Sequence, residues 1–249
     1  MTIHKNIYFA SDFHLGAPDY HKSLVREKKV VSWLTSIENE ASEIYLLGDI
    51  FDFWYEYKHT VPKGYIRLLG KLAYLSDKGI KIHIFTGNHD LWMRDYLAKE
   101  LNADINYDPV QRIIDGKKFY IAHGDGLGPG DKGFKFMKSI FTNKTAQWLF
   151  SRVHPNAAIS VANYFSRKSR AMTGAADSEF YGEEKEWLII HSKQILEREH
   201  FDYFIYGHRH YPLVVDLGNN SKYVNLGDWI KYFSYAEWDG KQLELKYYS

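Results

Sequence analysis

Five short polar clusters recur along the chain: Asp12-Phe13-His14, Gly48-Asp49-Ile50-Phe51-Asp52, Gly87-Asn88-His89-Asp90, His123-Gly124-Asp125 and Gly207-His208-Arg209-His210. Carboxylates, imidazoles and a side-chain amide are the donors that Mn, Fe or Zn accept in mixed oxygen and nitrogen shells. Asp12, His14, Asp49, Asn88, His123, His208 and His210 make up such a set. Two ions about 3.5–4 Å apart need a carboxylate between them, and Asp49 is the candidate bridge. Such a pair polarises a phosphoryl oxygen and lowers the pKa of a shared water. The chemistry indicated is therefore hydrolysis of a phosphoric ester or anhydride with two divalent ions as cofactors.

Asp-x-His and His-x-His place alternate side chains on one face of an extended segment, so each pair can converge on one ion. His89 follows Asn88 directly and would point elsewhere, which suits proton transfer better than ligation. The carboxylate of Asp52 could hold its imidazole in the protonated form that assists a leaving oxygen. Any one of these short patterns is commoner as surface or turn chemistry, so the reading rests on the five together. His4, His21, His59, His83, His154, His191 and His200 lack a cluster and are read as ordinary residues.

The elements that must position these clusters are legible just upstream of each. Ile7–Ala10, Ile44–Leu47, Ile82–Thr86, Phe119–Ala122 and Tyr203–Tyr206 are short apolar, β-rich runs ending in turn residues, the signature of buried strands. Clusters at strand ends share the crevice where open α/β sheets hold their ligands. Helical spacing over 22–40, 63–78 and 91–101 alternates with the first three strands, which predicts a largely parallel sheet centre. From 104 onward the pattern turns to paired strands, with an Asp115-Gly116 hairpin between 110–114 and 117–122. Further strands are predicted near 212–217, 222–226, 232–238 and 242–248, and a helix over 180–200. The fold class is α/β: two packed sheets with helices outside.

Length and composition allow this. A chain of 249 residues, 45% apolar, can bury a full core, and we read one catalytic unit over 1–249. The net charge of +1 gives no ground for expecting nucleic acid. The absence of cysteine excludes thiolate ligands. The N-terminal residues lack a leader pattern and no apolar run nears the roughly 20 residues that span a bilayer, so a cytoplasmic protein is expected. Residues 126–173 break the rhythm. They hold eight Lys or Arg against one acid, together with many aromatic and aliphatic residues, and read as a basic, helical cap inserted into the catalytic unit. Its apolar residues could sequester acyl chains, and its cations could meet a pyrophosphate or anionic headgroups. Arg152, Arg167, Lys168 and Arg170 are the candidates for substrate contact.

The clusters together resemble those of the calcineurin-like metallophosphoesterase superfamily, over about 1–125 and 200–228. The resemblance implies an αββα sandwich, with two mixed β-sheets flanked by helices. It implies one ion held by Asp12, His14, Asp49 and His210, a second by Asp49, Asn88, His123 and His208, and Asp52 with His89 as the catalytic pair. Within that superfamily the chain is most similar to the UDP-2,3-diacylglucosamine diphosphatases of lipid A synthesis. The shared features are its size, Leu47-Gly48-Asp49-Ile50-Phe51-Asp52-Phe53-Trp54, the helical segment after His123-Gly124-Asp125, and Asn225-Leu226-Gly227-Asp228-Trp229. This implies water attack on the α-phosphate of an acylated sugar nucleotide, Mn²⁺ as the metal with Fe or Zn as alternatives, and a peripheral position on the inner membrane. The best-known members carry Arg at the position of His89 and Glu at that of Asp52. A soluble phosphodiesterase or a protein or nucleotide phosphatase is the alternative enzyme. A non-catalytic scaffold on this fold is the alternative of another kind, although such chains usually show eroded ligands.

Overall fold

Strands buried on both faces read as continuous apolar runs, since each face needs its own partner layer. The computed structural model, which describes residues 5–129, 132–173 and 180–249, shows these layers residue by residue. One sheet contains β1 (Asn6–Ala10), β2 (Ala41–Leu47), β3 (Lys81–Phe85), β4 (Asp104–Asn106), β10 (Ser234–Trp238) and β11 (Leu243–Tyr247), in the order β11-β10-β1-β2-β3-β4. The second contains β5 (Val110–Ile114), β6 (Lys117–Ala122), β7 (Tyr203–Tyr206), β8 (Leu213–Gly218) and β9 (Ser221–Asn225), in the order β5-β6-β7-β9-β8. Both are mixed: β1 to β4 pair in parallel, as do β6, β7 and β9, with antiparallel strands outside them.

Alternate residues of each central strand enter different cores. Tyr8, Ala10, Ile44 and Leu46 pack with Trp33 and Leu34 of α1 (Tyr20–Ile37), Leu68 and Leu72 of α2 (Ile66–Asp77) and Leu97 of α3 (Tyr96–Leu101). Phe9, Tyr45 and Leu47 face the other way and meet Phe119, Ile121 and Ile205 between the sheets. Tyr120, Phe204 and Tyr206 then point outward against Leu188 and Ile189 of α7 (Trp187–Leu196). The result is helix, sheet, sheet, helix. Asp115-Gly116 makes the hairpin with both residues at positive φ.

Two expectations need correction, and one strand was not foreseen. The helix expected over 91–101 begins only at Tyr96, because residues 92–96 are tied to the chain near Glu56. The Glu56 amide donates to the Trp92 carbonyl at 3.4 Å, and its carboxylate accepts from the Tyr96 amide at 3.1 Å. The helix expected over 180–200 is confined to 187–196. Edge strand β4 was not expected; it has three residues, too few for an alternation to register.

Residues 132–173 form α4 (Lys132–Phe141), α5 (Lys144–Phe150) and α6 (Pro155–Thr173). Polar ties and ring packing hold them to the loops that follow β2 and β3. Trp92 Nε1 donates to the Phe141 carbonyl at 2.7 Å and the Tyr55 hydroxyl to the Gln147 carbonyl at 3.0 Å. Phe150 packs on Tyr55 and Trp92 at ring distances of 4.8 and 4.7 Å.

Candidate metal centre

The carboxyl ends of strands from both sheets meet at one edge, and backbone hydrogen bonds lock the loops there. The Asp12 amide donates to the Gly48 carbonyl at 3.1 Å, and that of Gly207 to the His123 carbonyl at 2.9 Å. Asp12, His14, Asp49 and His208 all have positive φ, between 44° and 66°. For non-glycine residues that left-handed conformation costs free energy and persists only where the surroundings impose it. Convergence of the Asp-x-His and His-x-His pairs therefore comes from these left-handed turns and not from the pleat of an extended segment. Close packing adds a requirement for glycine: a Cβ on Gly87 would stand 2.2 Å from Asp49 Oδ1, and one on Gly207 2.7 Å from Asp12 Oδ2.

Two groups of donor atoms result. In the first, His14 Nε2 lies 3.3 Å from His210 Nε2 and 3.6 Å from Asp12 Oδ1, and His210 Nε2 lies 3.5 Å from that same oxygen. In the second, Asn88 Oδ1 is 3.3 Å from His123 Nε2 and 3.1 Å from His208 Nδ1. Asp49 Oδ2 stands 3.6 Å from both His14 Nε2 and His123 Nε2, and so belongs to both groups. All seven sequence-predicted donors are thus brought together.

The electrostatics favour a cation. Burial pushes the Asp49 carboxyl well above its usual range, with Asp12 and Asp90 adding like charge and His14 opposing. Burial would also raise Asp12, but the imidazoles of His14, His210 and His123 outweigh it and hold that carboxyl low. Burial, then the charge of His123, brings His208 down to about 3. The lone pairs of such an imidazole are open for ligation. Among the described residues neither Asp12 nor Asp49 receives an ion pair from Lys or Arg, and Asp12 Oδ1 is buried with no hydrogen-bond partner. A buried carboxylate oxygen left this way is costly unless a cation satisfies it. Atoms of Asp12, His14 and His210, of His14, Asp49 and His89, and of Asp12, Asp49 and His123 lie within 4.8 Å of one another in sets of three, close enough to hold a metal ion. The residues fit divalent ions.

His89 sits beside this centre. Burial first, then the charges of His14, His210 and His123, pushes its imidazole well below the usual value. Its Nδ1 is 3.1 Å from the Asp52 carbonyl oxygen, whereas the Asp52 carboxylate is 3.7 Å from that nitrogen and equally 3.7 Å from His14 Nδ1. The hydrogen bond expected from the Asp52 carboxylate is made instead by the backbone of the same residue.

Several supporting residues were given no role by the sequence reading. Asp90, fully buried, accepts from the amides of Gly87 at 2.7 Å, Ile50 at 2.8 Å, and Asp49 and Phe51 at 3.3 Å, which clamps the second cluster to the third. Asp228 Oδ2 lies 3.3 Å from His210 Nδ1. The Leu47 carbonyl stands 2.7 Å from His123 Nδ1, which fixes that tautomer and leaves Nε2 for ligation. From α1, Ser23 Oγ accepts from the Gly16 amide at 2.7 Å and Arg26 Nη2 donates to the His14 carbonyl at 2.6 Å. The signal was there: Ser23, Arg26 and Glu27 share the buried face of α1 with Val30, Leu34 and Ile37, and polar residues on such a face are there to bond something.

Of the candidate substrate contacts, Arg152 is exposed after α5 with its guanidinium 4.9 Å over the Trp148 ring. Arg167, Lys168 and Arg170 belong to α6, and their side chains lie outside the described residues, as does His4. His83 is far from the centre, between Glu43 at 2.8 Å and Asp104 at 3.1 Å.

Comparison with known proteins agrees with the geometry. Residues 5–212 match the family model described as calcineurin-like phosphoesterase. A protein of Porphyromonas gingivalis named UDP-2,3-diacylglucosamine hydrolase is 40% identical over 252 aligned residues, covering 96% of each chain. Proteins of that name from Aeromonas hydrophila and Histophilus somni are 28% and 25% identical, each over 90% of this chain and 90% and 92% of theirs. The chain belongs to the calcineurin-like phosphoesterase family and is a hydrolase.

Proposed function

We propose that this protein hydrolyses UDP-2,3-diacylglucosamine at its α-phosphate, releasing UMP and 2,3-diacylglucosamine 1-phosphate. One observation carries the reading: a carboxylate, Asp49, common to two donor groups at the strand ends, in a chain 40% identical over 96% of its length to a hydrolase named for that substrate. Asp12, His14, Asp49 and His210 hold one ion, and Asp49, Asn88, His123 and His208 the other, with Mn²⁺ as the metal. When bound, the pair supplies Lewis acidity toward the phosphoryl oxygens and lowers the pKa of water.

The chain's own groups orient and move the proton. His89 keeps Nδ1 on the Asp52 carbonyl, which leaves Nε2 to serve the departing oxygen. Burial favours the neutral ring, and an anionic phosphoryl group beside it acts in the opposite direction. Asp52 adds negative charge 3.7 Å from the same ring.

The helices over 126–173 act as a cap within one catalytic unit spanning 1–249. They expose Ile140, Trp148, Leu149, Val153, Val161 and Tyr164, in a segment whose sequence holds eight Lys and Arg. Acyl chains and an anionic membrane surface are the chemical match for such a face, with Arg152, Arg167, Lys168 and Arg170 meeting the diphosphate. No helix among the described residues is long and apolar enough to cross a membrane; the reading places the enzyme in the cytoplasm, peripheral to the inner membrane. The deciding experiment incubates the manganese-loaded protein with UDP-2,3-diacylglucosamine and follows UMP by chromatography. A preparation that cleaves a chromogenic phosphodiester and releases no UMP sinks the substrate assignment.

A further inference from the structure

We propose that Ser166, on a helix outside both sheets, is a positioning residue for His89. The inference rests on the reading above that His89 handles the proton. Ser166 Oγ stands 3.1 Å from His89 Nδ1, across 77 residues of sequence. The same nitrogen lies 3.1 Å from the Asp52 carbonyl oxygen. A carbonyl only accepts, so Nδ1 carries the hydrogen and the Ser166 hydroxyl is a second acceptor for it. Two oxygens, one from the loop after β2 and one from α6, then fix the rotation of the ring and its tautomer. The Asp52 carboxylate, 3.7 Å away, is beyond hydrogen-bond range and leaves that task to them.

The two helices that precede α6 in the same segment are tied to the loops that carry His89 and Asp52. Trp92 Nε1 and the Tyr55 hydroxyl, each three residues from His89 or Asp52, donate to the carbonyls of Phe141 at the end of α4 and of Gln147 within α5. Lys138 Nζ on α4 donates to Asp125 at 2.7 Å. The helical segment therefore bears on turnover through His89, in addition to any part in substrate affinity.

The test combines kinetics of the manganese-loaded enzyme with ¹⁵N spectra of the histidine rings in the metal-free protein. With a chromogenic phosphodiester and with UDP-2,3-diacylglucosamine, Ser166→Ala should lower kcat about tenfold, as expected for one orienting hydrogen bond, with KM within about twofold. Ser166→Thr, which keeps the hydroxyl, should restore most of it. In a His89→Ala background Ser166→Ala should have no further effect, because its action passes through that ring. The spectra should show a single Nδ1–H tautomer for His89 in the wild type and Thr variant, and a mixture in the Ala variant. Equal kcat losses in both backgrounds, a KM rise with kcat intact, or an unchanged tautomer would overturn the proposal. So would a His89→Ala enzyme with wild-type turnover. Cleavage of the chromogenic ester without cleavage of the sugar nucleotide would remove the substrate assignment and leave the Ser166 result standing.

Discussion

The carboxylate of Asp228 stands 3.3 Å from Nδ1 of His210, on the side of the ring opposite the nitrogen that approaches His14. Its other oxygen accepts from the amides of Ile230, Lys231 and Tyr232 at 3.1, 2.8 and 3.2 Å, so the carboxylate is itself held in place. A carboxylate behind a ligating imidazole fixes its tautomer and raises its basicity. Asp228→Asn keeps the shape and removes the charge. Manganese affinity measured by calorimetry should fall about 10- to 100-fold, and an unchanged affinity would reduce Asp228 to a turn residue.

Asp49 is common to both donor groups, so its loss should be felt by both ions. Wild-type protein stripped with chelator and given manganese at about 100 times its dissociation constant should gain about 2.7 kcal/mol of stability for each ion bound. Asp49→Ala should lose most of that gain and, by elemental analysis, empty at least one position. A variant that retains two ions per chain would show that Asp49 is no ligand.

His89→Ala should lower turnover by about 10²- to 10⁴-fold, the range for a lost acid or base group, while metal content stays at the wild-type level. Metal loss in step with activity would make His89 part of the binding site instead.

Gly87 tests the packing of the centre without touching a donor. A methyl group there would stand 2.2 Å from Asp49 Oδ1 and 2.5 Å from the Asp49 amide. Gly87→Ala must displace the shared carboxylate, and misplacement on the scale of an ångström can cost about 10²-fold in rate. Circular dichroism should show an intact fold. Normal turnover would mean the loop relaxes more freely than the structure suggests.

Far from the centre, Asp202 ties β6 to β7. Its carboxylate accepts from the Lys118 amide at 2.8 Å and from Lys117 Nζ at 2.9 Å. Burial opposes its ionisation, but the amide and the ammonium outweigh it and hold the pKa below the usual carboxylate value. A carboxyl whose pKa is lower folded than unfolded adds stability that is fully present above the unfolded value, near ~4, and is lost as pH falls through the folded one. Asp202→Ala should thus cost about 1–2 kcal/mol at neutral pH. That deficit should shrink as the pH drops below about 4, as seen in denaturant titrations. A deficit that stays constant with pH would assign the effect to packing.

The sequence by itself determined the candidate donor set and, along the chain, the strands that carry it. Metal-ligand chemistry restricts residue type, and strands buried on both faces must be continuously apolar, so both leave marks that need no coordinates. Ile44–Leu47 followed by Gly48-Asp49 states a strand and a candidate ligand together. Only the tertiary structure decided how the donors converge. The left-handed backbone of Asp12, His14, Asp49 and His208 is imposed by neighbours distant in sequence, among them Arg26 beneath His14 and Asp90 beneath Asp49. The same holds for His89, whose partners are a carbonyl 37 residues before it and a hydroxyl 77 after it. A hydrogen bond from backbone or from serine leaves no spacing rule in a sequence, because nearly any residue offers the first and serine occurs everywhere; the fold selects which of them is near.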